Sequence, residues 1–256
     1  MGVFDVYIEQ VAAYAHGLRK RGTHVRDFVC REPPGDIPKA LPVRVGPGAN
    51  PGIILRSETF LELGNPLEGS VALVLWTDNP SIVQAGTITL IGPDIPDACG
   101  ARLPFGQILV LAGAGLTETQ HESLLQLQYV ADQIEGYMIK SAPDRVWSRV
   151  SREAALKGFD FHTLGKALMS IFRSAEPRLE SMQVLFITSG KQDVQGLEPI
   201  ARQVKKISKE ILKETWKIRG YDIDCTLDCS SCGDRRVCDD IREVLATVKK
   251  PDVAAR

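Results

Sequence analysis

Phe4, Ile8, Val11, Ala15 and Leu18 recur at steps of four and three, one stripe of an amphipathic helix that Gly22 ends. From residue 31 to 52 the periodicity dissolves. Pro33, Pro34, Pro38, Pro42, Pro47 and Pro51 stand among glycines there, and each proline fixes φ and removes a backbone donor, so a regular helix is excluded. The stretch reads as an extended linker. Short apolar runs bounded by Gly, Pro, Asn and Asp follow at residues 53–55, 59–63, 71–76, 87–91 and 107–111. Their length and β-branched content predict strands, with hairpin-like spacing before residue 107.

Thr117 with Gln120 three residues on forms a capping-box signature. It opens a helix predicted through Leu124, Leu127, Val130, Ile134 and Met138. Leu164, Leu168, Ile171 and Phe172 predict a second helix, and residues 182–188 a buried strand. Residues 197–219 carry a strong helical stripe of Ile200, Val204, Ile207, Ile211 and Ile218. Lys205, Lys206, Lys209, Lys213 and Lys217 lie largely off it and read as a solvated face. Gly220 ends this helix, and Ile241, Val244, Leu245 and Val248 predict a last one that Pro251 closes. The fold class is α/β (or α+β): a mixed sheet with flanking helices, plus a helical C-terminal extension. Three segments follow: 1–40, the N-terminal helix and linker; 41–195, the α/β body; and 196–256, the extension.

The 256 residues are 44% hydrophobic and 25% charged, ordinary globular usage. A net charge of −1 argues against a nucleic-acid partner, which needs a surplus of Lys and Arg facing phosphates. The longest apolar run, 71–76, is too short to span a bilayer, so no membrane partner is expected. The N-terminus has no basic region followed by an apolar stretch, and a cytoplasmic location is expected.

Six cysteines change the picture. Cys30 and Cys99 stand alone, whereas Cys225, Cys229, Cys232 and Cys238 form a C-x3-C-x2-C-x5-C segment. In a reducing compartment such crowding points to a metal site more than to disulfides. Four thiolates can saturate a [4Fe–4S] cluster or complete the tetrahedral shell of Zn²⁺. Zinc ribbons hold two Cys pairs well apart, whereas this loop is compact, which favours the cluster. Gly233 frees the backbone beside the third ligand, and Arg235 and Arg236 would offset part of the cluster's negative charge. A zinc knuckle is the alternative, and Asp239 stands after Cys238 where bacterial ferredoxins carry Pro. His16, His24, His121 and His162 are scattered without motif partners and read as surface or hydrogen-bonded residues. Gly113-Ala-Gly115 lacks the third glycine of a dinucleotide loop and the Lys-Ser/Thr of a P-loop.

The stretches VLWTDNPSIVQAGTITLIGPDI (74–95), GARLPFG (100–106), DRVWSRVSREAALKG (144–158) and HTLGK (162–166) resemble, in order, the central region of the acetyl-CoA synthase β subunit of the carbon monoxide dehydrogenase complex. The likeness runs from about residue 41 to 204. In that family an iron–sulfur and nickel cluster follows the central region, where this chain carries its cysteine segment. The family's Cys-Gly-Cys nickel motif has no counterpart within the 256 residues, so the resemblance implies an accessory iron–sulfur protein of one-carbon metabolism rather than a complete synthase. Electron transfer, or activation of a corrinoid protein, a redox partner or a carbon monoxide dehydrogenase-related subunit, is the expected role. The competing expectation is a zinc-stabilised interaction module without redox chemistry.

The resemblance also implies a coenzyme A contact at Trp147, with the matching Arg149 and the basic Arg152 beside it. Arginine grips phosphates bidentately, and an indole offers a face for adenine. The structural alternative is a core anchor whose neighbouring arginines solvate a helix start.

Overall fold

The computed structural model describes residues 2–30, 41–49, 53–127, 133–142, 145–219 and Arg236. In chain order its elements are α1 (Asp5–Lys20), β1 (Val25–Val29), β2 (Thr59–Leu63), β3 (Ser70–Thr77), β4 (Thr87–Ile91), β5 (Arg102–Leu103), β6 (Phe105–Ala112), α2 (His121–Leu127), β7 (Tyr137–Ala142), β8 (Arg145–Ser151), α3 (Arg152–Leu156), α4 (Phe161–Ala175), β9 (Ser181–Ile187), α5 (Lys191–Gln195) and α6 (Glu198–Ile218). Two compact units divide the chain, Met1–Ser208 and Lys209–Arg256, and α6 runs across the division. In the second unit the described residues are the end of α6, where Lys217 pairs with Glu214 at 3.0 Å, Arg219 just after it, and Arg236.

The expected α/β class holds, but the strands form two mixed sheets instead of one. The larger has the order β1-β4-β9-β6-β3. β3 pairs with β6 and β4 with β9 in parallel, while β1–β4 and β6–β9 are antiparallel. Every residue of β6 is buried. A strand covered on both faces needs no polar alternation, which is why this region reads as a continuous apolar run. α1 lies against β3 and β4, burying Ile8, Val11 and Leu18. α4 packs on β4 and β9. Its N-cap Asp160 accepts from the Thr163 backbone N–H at 2.7 Å. Its Gly165 lets the helix approach so closely that an added Cβ would lie 2.7 Å from Ile88 Cδ1. Phe161 at the head of α4 meets Phe186 and Phe105, with ring centroids 4.9 and 5.8 Å apart.

The second sheet has the order β5-β2-β8-β7. β8 runs antiparallel to β2 and β7, and β2 runs parallel to β5. β8 alternates: Val146, Ser148 and Val150 are buried, whereas Trp147, Arg149 and Ser151 are half-buried on the other face. That alternation is the period-2 signature of a strand with one face in the core.

Several sequence expectations are corrected. Of the helix expected through Met138, α2 covers His121–Leu127, and Val130 lies outside the described residues. Ile134 instead forms a bridge with Val45, and Met138 lies in β7. Spacings of three and four among apolar residues imitate a helix there, but a strand partner wins. Residues 53–55 are extended without strand pairing and lead into a short 3-10 turn, Arg56–Glu58. The hairpin-like spacing before residue 107 conceals the parallel β3–β6 pair. The helix over 197–219 appears as α6, within one residue at each end. Cys225, Cys229, Cys232 and Cys238 and the last expected helix lie outside the described residues. Among the described residues no helix is long and apolar enough to cross a membrane.

Candidate functional site

The half-buried face of the second sheet gathers the candidate binding residues. Strand register sets one row across all four strands: Arg102 on β5 faces Glu62 on β2, Glu62 faces Arg149 on β8, and Arg149 faces Met138 on β7. Trp147, two residues before Arg149 on β8, shares its face because strand side chains alternate. The Arg149 guanidinium carbon sits 5.2 Å from the centroid of the Trp147 ring, within cation–π range.

Glu62 ties the group together. Its Oε1 accepts from Trp147 Nε1–H at 2.6 Å and from Asn65 Nδ2 at 2.9 Å, and its Oε2 lies 3.4 Å from Arg102 Nε. Burial acts most strongly on this carboxyl and raises its pKa. The bonds from Asn65 and Trp147 and the charges of Arg149 and Arg102 together outweigh that, leaving it below the ordinary glutamate value. Glu62 is therefore a carboxylate at neutral pH. Arg149 Nη1 donates to the Ile54 carbonyl at 3.2 Å, and its buried Nε–H has no partner among the described residues. The Ile54 backbone N–H also points to this face, donating to Met138 Sδ at 3.4 Å.

Arg152 is placed differently. It opens α3 and lines a neighbouring cleft of about 610 Å³ with Arg44, Ile54, Glu58 and Glu135. The alternative in which both arginines solvate a helix start is corrected to this extent: Arg149 projects with Trp147 from a strand, and only Arg152 belongs to a helix. Arg152 is exposed and makes no ion pair within the described residues. The other cation lining the cleft, Arg44, is committed, its Nε lying 3.2 Å from Glu135 Oε2. Glu135 Oε2 accepts from the Arg44 backbone N–H at 2.9 Å, and its Oε1 accepts from Lys157 Nζ, also at 2.9 Å. These contacts, the Arg44 amide first and Lys157 next, bring the Glu135 pKa down to about 2. A second cavity, about 530 Å³, lies between α1 and the larger sheet, and its Arg19 and Asp27 neutralise each other at 2.6 Å.

Sequence reasoning missed Glu62 and Arg102, since only strand register brings them beside Trp147 and Arg149. Nothing in local spacing signals a partner 85 residues away, the separation of Trp147 from Glu62. Among the described residues no group of three or more His, Cys, Asp or Glu is arranged to hold a metal ion. His121 is fully buried, with its Nδ1 accepting from Trp76 Nε1–H at 3.0 Å, a packing role rather than a site.

Residues 41–194 match the model of the CO dehydrogenase/acetyl-CoA synthase complex beta subunit. The acetyl-CoA decarbonylase/synthase complex subunit beta 1 of Methanosarcina thermophila is 31% identical over 196 residues, 75% of this chain and 40% of the relative. The corresponding beta subunit of Methanothermobacter thermautotrophicus is 30% identical over 195 residues, again 75% of this chain and 41% of the relative. That of Methanopyrus kandleri is 29% identical over 202 residues, covering 77% and 43%. The chain thus spans about two-fifths of the length of these curated relatives. Trp147, Arg149 and Arg152 all fall within the matched residues, as do Glu62 and Arg102, whereas the four clustered cysteines fall beyond them.

Proposed function

The chain belongs to the CO dehydrogenase/acetyl-CoA synthase complex beta subunit family, and from that membership we propose that its α/β body binds coenzyme A in a one-carbon pathway. The observation that carries this reading is the Trp147–Arg149 pair on one open sheet face, in the segment that matches the family. An indole face suits the adenine, and the half-buried guanidinium beside it suits phosphate. Arg152 would hold a further phosphate from the cleft side, its charge being uncommitted among the described residues.

The cysteine segment would hold a [4Fe–4S] cluster, since four thiols at Cys225, Cys229, Cys232 and Cys238 are a complete donor set for one. A cluster so saturated supplies one-electron transfer and no open coordination site. The role proposed is accordingly accessory: electron transfer, or activation of a protein partner such as a corrinoid protein, a redox partner or a carbon monoxide dehydrogenase-related subunit. A structural zinc site in an interaction module is the second reading, favoured by Asp239 in place of the ferredoxin proline.

Calorimetric titration with coenzyme A tests the first part. Removing one charged hydrogen-bonding partner costs about 1.5–3 kcal/mol, so Arg149→Ala should weaken binding roughly ten- to a hundredfold. Absence of binding at millimolar coenzyme A would defeat it. For the second part, anaerobically purified protein should carry iron and acid-labile sulfide. Stoichiometric zinc with neither would decide for the interaction module.

A further inference from the structure

We propose that Glu62 is a built-in counter-ion that competes with the phosphate groups of an incoming ligand for Arg102 and Arg149. This rests on the coenzyme A reading above and adds to it the residue that limits affinity and sets selectivity. The row Arg102–Glu62–Arg149 alternates charge across three adjacent strands. Strands lie about 4.8 Å apart, so the two arginines stand on backbones roughly 10 Å apart with the carboxylate between them. Two guanidinium groups facing one small area would repel each other if the middle position were neutral. Glu62 removes that repulsion while the face is empty. An oligophosphate arriving there does the same work, and must do so against a carboxylate already in place.

The other contacts of Glu62 explain why it stays. Trp147 Nε1–H and Asn65 Nδ2 anchor Oε1, while Oε2 is left to Arg102. One carboxylate thereby orients the indole and screens the cations. The predicted effect of removing its charge is a gain of binding, the reverse of what loss of a merely structural residue produces.

Glu62→Gln keeps a carbonyl oxygen for the indole and deletes the charge. Deleting one unit of repulsion toward the ligand near a protein surface should tighten coenzyme A binding about three- to tenfold at low salt, with the gain shrinking as salt rises. The variant should also bind inorganic pyrophosphate more tightly than the wild type does. Glu62→Asp, which retains the charge, should show no gain. If Glu62→Gln does not fold, Glu62→Met, which gives up the acceptor for the indole, carries the same expectation for inorganic pyrophosphate, which needs no stacking face. Unchanged or weaker binding in the neutral variant, with the wild type binding and Arg149→Ala impaired, overturns the competitor role and leaves the coenzyme A reading standing. Wild-type binding that Arg149→Ala does not weaken overturns the site itself. No binding of coenzyme A or pyrophosphate by any of these proteins overturns both.

Discussion

Acidification from pH 7.5 to 4.5 should remove a defined part of the stability through His121, which is fully buried. Its ring stacks on Phe4 with centroids 5.4 Å apart, and its Nδ1 accepts the Trp76 indole proton at 3.0 Å. That bond requires a neutral ring protonated at Nε2, an atom that is buried without a partner among the described residues. Burial lowers the His121 pKa from the ordinary 6.5 to about 4. The folded pKa lies below the unfolded one, so between these values the unfolded chain binds more protons, and stability falls as pH drops from about 6.5 toward 4. At 1.36 kcal/mol per pKa unit the full effect is about 3 kcal/mol, a sizeable share of the roughly 5–15 kcal/mol that holds most domains folded. Glu135 also loses stabilisation on acidification, but with a folded pKa of about 2 it acts mainly lower on the scale. Urea denaturation of the wild type and of His121→Gln, at intervals from pH 7.5 to 4.5, separates the contributions. Glutamine can still accept the Trp76 proton and does not titrate, so the wild-type curve should fall away more steeply by about 2–3 kcal/mol across this range. Parallel pH dependences would refute the assignment.

Three further expectations concern the packing around the larger sheet. Gly165→Ala should destabilise by about 1–3 kcal/mol, because its Cβ would press on Ile88 beneath α4; an unchanged urea midpoint would show that α4 can shift at no cost. Asp160→Ala removes the cap that accepts from the Thr163 N–H and should cost about 1 kcal/mol, with Asp160→Asn recovering most of it. Phe4→Ala empties a fully buried position against Trp76 and His121 and should cost about 3–5 kcal/mol; a loss below 1 kcal/mol would mean that the contact of α1 with Trp76 is dispensable.

Legibility along the chain tracked how far each element's surroundings are local. β3, β6 and β9 were readable because both faces are covered and nearly every side chain is apolar, and α6 because its stripe repeats over 21 residues. β1 was not. Arg26 and Asp27 at its centre look like loop residues, yet Arg26 is paired with Asp94 and Asp97, and Asp27 with Arg19. Those partners come from α1 and from the turn after β4, which no window around residue 26 contains. β8 failed for a related reason: Trp147 and Arg149 carry polar or charged tips on one face, so its alternation resembled a charged helix start.

The same logic divides the candidate site into a legible and an illegible half. Trp147 and Arg149 are two residues apart, so their shared face follows from strand period once β8 is recognised. Glu62 and Arg102 reach that face only through register, which the turns and the buried Leu61, Leu63, Val146 and Val150 determine together. A one-residue slip of β2 against β8 would turn Glu62 inward and expose Leu61 and Leu63, and the burial of those leucines is what forbids it. The electrostatics of the site are thus dictated by apolar residues on the opposite side of the same sheet. For that reason Leu61→Ser should disturb Trp147 as well as stability. If the register loosens, the 2.6 Å bond from the indole to Glu62 is lost, and the near-ultraviolet signal that Trp147→Phe removes from the wild type should already be diminished in Leu61→Ser under conditions where that variant remains folded. An undiminished Trp147 signal in folded Leu61→Ser would show that the face is held by the row's own charges and not by the core beneath it.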